Sequence, residues 1–309
     1  MADPTAQDAR RVGFIGLGAM GSGIAHNLHK YLQANGNRSL RVWNRTLSKA
    51  DDLVSQGATL VPGGPSELSG TCDIIFSMLF DDASLLATAV KILGSAKTGL
   101  IWVDCTTVDP AAAKTVEEKA RASGVTFMCC PVFGRPDAAR EKRLVAALAG
   151  DDTGKVVVQP YVESFSRAVM DLGDEAYKAS QMKLMGNFFI LSSMEMIAEA
   201  QCLADKTGLT RDNLLDFIDH LLPAPLLQGY AARIASDNYT NTAEQPGFSV
   251  TGALKDITLI RKMAADHDMT LPITDITIRH LERQKREADP DMDMTSAAAA
   301  IRLENGLKE

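Results

Sequence analysis

The sequence predicts an α/β protein: a doubly wound parallel sheet in its N-terminal half, a long helix after it, and an all-helical C-terminal domain. From Arg11 to about Gly173, short β-branched or apolar runs alternate with stretches of helical period, the pattern of parallel βαβ units. Beyond Gly173 the strand-like runs vanish, and Glu175 to Thr207 keeps a helical period without a break.

In chain order, strands are expected at Val12 to Ile15, Leu40 to Trp43, Asp73 to Met78, Leu100 to Asp104, Thr126 to Cys129 and Leu144 to Ala149. Crossover helices between them include Met20 to Leu32 and Pro110 to Ser123. The second opens on a proline, whose fixed φ and missing N–H suit a first helical turn. Around Met185 to Ile197 the long helix is apolar on nearly every side, which predicts a buried spine between domains. The acidic stretch Glu287 to Met294 reads as an exposed loop. The organisation is then a disordered N-terminus over 1–10, a sheet domain over 11–173, an interdomain helix over 174–207 and a helical domain over 208–309.

Composition narrows the function. The chain has 309 residues, 46% of them hydrophobic and 23% charged, which suits one large or two ordinary globular domains. A net charge of −7 repels the phosphate polyanion, so nucleic acid is a poor partner. Apolar runs fall short of the roughly 18 residues a spanning helix needs, and Met1 to Arg11 lacks the apolar core of a secretory signal. A cytoplasmic protein is expected. Five cysteines without a CxxC pair argue for reduced thiols, and the adjacent Cys129 and Cys130 read as small buried hydrophobes. Five scattered histidines form no ligand cluster, so no metal site is expected.

Val12-Gly13-Phe14-Ile15-Gly16-Leu17-Gly18-Ala19-Met20-Gly21 places GxGxxG between the first strand and the mouth of a helix. Gly16 permits the tight turn, Gly18 lets the backbone approach a pyrophosphate, and Gly21 allows close packing of helix on strand. The helix N-terminus adds unpaired N–H donors. Gly16, Leu17, Gly18, Ala19 and Met20 are therefore candidate cofactor contacts, and the N-terminal domain is a Rossmann domain. An NAD enzyme usually carries an acid at the end of its second strand to bind the ribose 2′-hydroxyl. Here that end reads Trp43-Asn44-Arg45-Thr46-Leu47-Ser48-Lys49. It carries no acid to repel a 2′-phosphate, and Arg45 offers a planar donor fork with Asn44 and Thr46 as further donors, which favours NADPH. The same residues also suit a solvated basic turn that caps the next helix.

These motifs resemble the β-hydroxyacid dehydrogenases, relatives of 6-phosphogluconate dehydrogenase that include the imine reductases, and the resemblance covers almost the whole chain. Gly16 to Leu28 resembles the family's cofactor motif. Ser77-Met78-Leu79 resembles its adenosine-side strand end, and Asp104-Cys105-Thr106-Thr107-Val108-Asp109-Pro110 the loop beside the nicotinamide ribose, which implies cofactor contacts from Met78, Leu79 and Thr106. Lys183-Leu184-Met185-Gly186-Asn187 is similar to the catalytic KxxxN element. Phe248 followed by Leu254-Lys255-Asp256 is similar to the terminal motif, which implies that Lys255 faces the cofactor and active site.

Lys183 and Asn187 make chemical sense on their own terms. An i, i+4 spacing puts both on one helix face. Hydride transfer to a carbonyl generates an alkoxide, and an ammonium in an apolar setting is a suitable proton donor to it, with Asn187 orienting the carbonyl. A lysine snorkelling to the surface is the structural alternative. Two departures from the family stand out. Where it has DAPVSGG to hold a substrate carboxylate, this chain has Cys129-Cys130-Pro131-Val132-Phe133-Gly134-Arg135, so a hydroxyl donor has become Phe133 and a glycine has become Arg135. Tyr177 and Ala179 stand in place of the glycines ahead of the lysine. Phe133, Gly134 and Arg135 are thus candidate substrate residues, and an ordinary small 3-hydroxy acid is not the obvious substrate.

The reading is an NADPH-dependent oxidoreductase that reduces a small aldehyde or ketone, with an imine reductase as the alternative and a non-catalytic NADPH-binding protein as the rival of another class. The resemblance implies a homodimer formed through the C-terminal helices, with Met194, Ile197, Leu214 and Phe217 as expected contacts.

Overall fold

The computed structural model describes residues 10–36, 39–242, 245 and 247–307. The stretch expected to be disordered, 1–10, lies outside the described residues except for Arg10. The chain divides into two compact units, Met1–Lys183 and Leu184–Glu309.

The first unit opens with β1 (Val12–Ile15), α1 (Ala19–Ala34), β2 (Arg41–Trp43), α2 (Asp51–Ser55), β3 (Thr59–Leu60), α3 (Gly64–Thr71), β4 (Ile74–Ser77) and α4 (Asp82–Leu93). It continues through β5 (Ile101–Asp104), α5 (Pro110–Ala122), β6 (Thr126–Cys129), β7 (Val132–Phe133), α6 (Pro136–Arg140), β8 (Leu144–Gly150), α7 (Asp152–Glu163) and β9 (Ser166–Asp171). The strand order is β3-β2-β1-β4-β5-β6-β8-β7, and β9 pairs with β8. Every pairing from β3 to β6 is parallel. All six expected strands are present within a residue or two of their expected bounds.

Parallel winding stops at β6. Strand β8, one of the expected strands, runs antiparallel to it, as β7 does to β8. The connection from Cys130 to Arg143 holds only the two-residue β7 and the five-residue α6. A parallel crossover usually carries a full helix across the face of the sheet, and this connection holds none, so the chain turns back instead. Both faces of the sheet are covered, and side chains alternate between them as strand geometry requires. Phe14, Phe76, Val103 and Met128 pack on one side with Ile24, Leu28, Tyr161 and Phe165. Ile15, Ile75, Trp102 and Phe127 pack on the other with Leu85 and Val116. Helix α5 starts as expected, on Pro110 after an Asp109 N-cap.

Helix α8 (Tyr177–Thr207) runs unbroken from the first unit into the second. The second unit adds α9 (Arg211–Leu221), α10 (Pro225–Ala235), α11 (Val250–Ala265), α12 (Pro272–Glu287) and α13 (Ala297–Glu304). Its core joins Leu191, Met194 and Ile197 of α8 to Ile257 and Ile260 of α11 and Leu281 of α12. Three expectations are corrected here. The apolar stretch of α8 is not buried all round, because Met185, Phe189 and Met196 are exposed, Phe189 by 72%. Met194 and Ile197, expected at a dimer contact, are buried in this core instead. The acidic loop is exposed only as far as Asp291, and Asp293 is fully buried, accepting hydrogen bonds from the Phe248 and Thr295 backbone amides and the Thr295 hydroxyl. Paired to three donors, that carboxylate tolerates the interior. No described helix is long and apolar enough to cross a membrane.

Candidate active site

The Gly-rich loop is shaped by its neighbours. Gly16 has φ +98°, and a Cβ there would lie 2.1 Å from the Met78 carbonyl oxygen. Its N–H donates to the Trp43 carbonyl, and Met78 N–H donates to that of Ile15, so the loop is seated between the ends of β2 and β4. Gly21 packs against the turn itself, where a Cβ would stand 1.9 Å from Gly16 O. Gly18 differs from both. A Cβ on Gly18 meets nothing within 4 Å, so the fold does not require glycine there, and the open space is what a close-approaching ligand needs.

Gly18 is also the N-cap of α1, which has no side-chain cap and no acid in its first turn. Helices α4, α5, α7 and α11 are capped by Asp81, Asp109, Asp151 and Ser249. The α1 terminus thus keeps its backbone donors for an anion. Asn44 braces the loop, accepting from Leu17 N–H at 2.9 Å and donating to the Thr46 carbonyl at 2.9 Å. Arg45 and Thr46 are exposed beside it. Leu17, Gly18, Ala19 and Met20 with Arg45 therefore fit a dinucleotide phosphate.

At the ends of β4 and β5 lies a buried polar chain that the sequence did not disclose. Trp102 Nε1 donates to the Ser77 hydroxyl, which donates to Asp104 at 2.5 Å. The Thr106 hydroxyl donates to the same carboxylate and accepts from Leu79 N–H at 2.9 Å. Asp104 thereby fixes both loops expected to touch the cofactor, those of Met78-Leu79 and of Thr106. Burial raises its carboxyl to about 6, against the opposing pull of the Ser77 and Thr106 donors. Cys105, Cys129 and Cys130 next to it are buried, as expected of small hydrophobes. Burial holds the Cys129 thiol well above its ordinary value; for Cys105 a hydrogen bond with Cys130 is the larger cause.

The residues expected to touch substrate begin at β7, where Phe133 pairs with Val145 of β8. Gly134 follows with φ +135°, and a Cβ would stand 2.7 Å from Leu144 Cδ2, so only glycine makes this turn. Arg135 is half-buried at the N-cap of α6. Lys183 is buried, 8% exposed, and its Nζ lies 4.5 Å from the centre of the Phe133 ring. The structure brings these two together across 50 residues of sequence, with the ammonium over one face of the ring.

Asn187 follows one turn later on α8, also buried. Its Nδ2 donates to Asp256 Oδ2 at 2.5 Å, and Lys255 Nζ stands 2.7 Å from Asp256 Oδ1. Asp256, which the sequence placed in a motif without a role, is the hinge of this set. An acid beside a lysine on a buried helix was the available signal, but its partner lies 69 residues away.

Residues 11–173 match the NAD binding domain of 6-phosphogluconate dehydrogenase, and residues 178–301 match the NAD-binding domain of NADP-dependent 3-hydroxyisobutyrate dehydrogenase. The NADH-dependent oxidoreductase ucdB of Aspergillus ustus is 28% identical over 289 residues, 93% of this chain and 98% of that protein. Glyoxylate/succinic semialdehyde reductase 1 of Arabidopsis thaliana is 28% identical over 296 residues, 94% and 98%. Among solved structures, 3-hydroxyisobutyrate dehydrogenase of Mycobacterium tuberculosis with L-serine superposes with a TM-score of 0.81 at 22% identity, covering 95% and 99%. The first match alone spans more than half of the residues, so the chain belongs to the β-hydroxyacid dehydrogenase family and is an NAD(P)-dependent oxidoreductase acting on hydroxyl or carbonyl groups.

Proposed function

We propose that this protein reduces a small, uncharged aldehyde or ketone with NADPH, Lys183 delivering the proton and Asn187 orienting the carbonyl. The observation that carries the reading is the burial of a lysine ammonium against an aromatic ring at the start of α8. A bound reduced nicotinamide supplies the hydride. As the carbonyl oxygen gains negative charge, a desolvated ammonium beside it stabilises the developing alkoxide and passes it a proton. Asn187 keeps one amide hydrogen on Asp256, so its side chain is fixed before substrate arrives. Lys255, neutralised by Asp256, is proposed as a cofactor contact. Arg45 is proposed to pair with the 2′-phosphate; the NADH dependence named for the Aspergillus relative makes cofactor preference a property of each chain.

Uncharged substrates are favoured because Phe133 offers no donor to a carboxylate, which would lose water there without compensation. Cyclic imines are the second class that such a site suits. We also propose that a second copy of the chain covers the exposed α8 residues Met185, Phe189, Met196 and Leu203, which light scattering would read as a dimer mass.

The test follows NADPH absorbance against matched aldehydes, ketones, 2-keto acids, semialdehydes and cyclic imines. Lys183→Ala is expected to lower kcat by about a hundred-fold while NADPH still binds. Undiminished turnover in that variant would overturn the role of Lys183, and a preference for carboxylate substrates would make Arg135 their anchor. Higher kcat/KM for imines than for any carbonyl would assign the second class.

A further inference from the structure

Helix α6 follows the candidate substrate residues directly, since Phe133, Gly134 and Arg135 lead into Pro136–Arg140. A five-residue helix is too short to stand alone, and its last carbonyls have no partner inside it. Lys142, left-handed at φ +59°, turns the chain away, and the Arg143 N–H returns to the Ala138 carbonyl at 2.8 Å. The next two carbonyls are met from outside the helix. Asn27 of α1 donates its Nδ2 to those of Ala139 and Arg140 at 2.7 and 3.2 Å, and to Gly23 O of its own helix at 3.1 Å. Three carbonyl oxygens around one atom identify it as the amide nitrogen.

Gly23 makes this approach possible, because a Cβ there would stand 2.9 Å from both the Ala139 carbonyl carbon and the Arg140 nitrogen. The two helices also share one core, Ile24 and Leu28 of α1 with Ala138 and Ala139 of α6. Helix α1 therefore does two things along its length. Its N-terminus, at Gly18, keeps the backbone donors that fit the dinucleotide phosphate, and further on it grips α6. We propose that Asn27 is a positioning residue for the reaction: it ties the substrate loop to the cofactor helix, so that Phe133, Gly134 and Arg135 keep a fixed place relative to the bound dinucleotide. The proposal rests on that loop facing substrate. Such a tie governs where the substrate body sits and leaves proton and hydride transfer to other groups, so its loss belongs in KM.

Asn27→Leu keeps the size of the side chain and loses the donor. With one uncharged aldehyde at saturating NADPH it is expected to raise KM about five-fold, with kcat and NADPH affinity changed by less than about two-fold. Asn27→Asp is the sharper variant. Its carboxylate faces two carbonyls at neutral pH and should raise KM further, whereas the protonated acid regains an O–H donor. The ratio of its KM to that of the unsubstituted protein should therefore fall back as pH drops from about 7.5 to about 5, while the ratio for Asn27→Leu stays level. A brace that served stability alone would lower the melting temperature and the active fraction, hence kcat, without moving KM. Amide hydrogen exchange over 134–143, in protein without cofactor or substrate, should quicken in Asn27→Leu and, at neutral pH, in Asn27→Asp. Unchanged exchange, quickened exchange with an unchanged KM, a loss confined to kcat, or a pH-independent KM ratio for Asn27→Asp would overturn the proposal. A Phe133→Ser variant with unchanged KM for aldehydes and carboxylates alike would instead remove the substrate loop on which it rests, whatever the exchange shows.

Discussion

Asn187 is held by Asp256, whose carboxylate accepts from its Nδ2 at 2.5 Å through one oxygen and faces Lys255 Nζ at 2.7 Å through the other. One buried acid thus orients an amide on α8 and restrains a cation on α11. Hydrogen bonds to charged groups are worth roughly 1.5 to 3 kcal/mol, and removing one partner leaves the other unsatisfied. Asp256→Ala is expected to lower kcat by about ten-fold or more, because the Asn187 amide then loses the carboxylate bond that helps orient it. Asp256→Asn keeps an acceptor for Asn187 but not the charge against Lys255, so its main effect should fall on the KM for cofactor. Steady-state kinetics on both variants check this, and indistinguishable profiles would show that the two contacts do not act separately.

The three glycines of the loop separate fold from function. Gly18→Val puts a side chain into open space at a backbone angle any residue adopts, φ −76°. It is expected to keep its melting temperature within a few degrees and to lose at least about ten-fold in cofactor affinity. Gly21→Val drives a Cβ to 1.9 Å from Gly16 O and is expected to destabilise the whole unit. Thermal unfolding and a fluorescence titration with NADPH measure the two effects independently.

Arg45 is exposed at the end of β2, beside the loop that Asn44 braces. An arginine–phosphate pair of roughly 1.5 to 3 kcal/mol corresponds to about ten- to a hundred-fold in affinity. Arg45→Ala should erase most of the preference for NADPH and leave NADH binding nearly unchanged. Equal affinity of the unsubstituted protein for the two cofactors would end the assignment.

The central sheet was legible because its strands are covered on both faces and read as dense apolar runs, as in Ile74-Ile75-Phe76 and Ile101-Trp102-Val103. The peripheral strands were not. Strand β3 has two residues, and β9 (Ser166–Asp171) is largely exposed, with no apolar periodicity to report it. The α8 stretch failed in the opposite sense, since an apolar circumference shows that a helix avoids water somewhere without saying which face this chain itself covers. In the site, the glycines and the Lys183, Asn187 spacing were visible because they act locally. The Lys183 to Phe133 and Asn187 to Asp256 contacts close over 50 and 69 residues, and only the fold creates them.

Asp104 makes the stability of the cofactor unit depend on pH in a stated direction. Its carboxyl is raised from 3.8 to about 6 by burial, so over that interval the folded chain holds a proton that the unfolded chain has released. The corresponding stability is fully present below the unfolded value and is lost as pH rises through about 6. At 1.36 kcal/mol per pH unit the loss amounts to about 3 kcal/mol. Other carboxylates act with the opposite sign below that interval, among them Asp73, whose hydrogen bond from Lys97 helps hold it below its ordinary value. The measurement is therefore a difference. Asp104→Asn removes the titration and keeps an acceptor for the Ser77 and Thr106 hydroxyls. The stability of the unsubstituted protein minus that of the variant, from urea unfolding, should fall by about 2 kcal/mol between pH 4 and pH 7. A flat or rising difference would mean that Asp104 is not a raised acid. Since its carboxylate also seats Thr106 and, through it, Leu79 N–H, Asp104→Ala should in addition weaken NADPH binding at every pH.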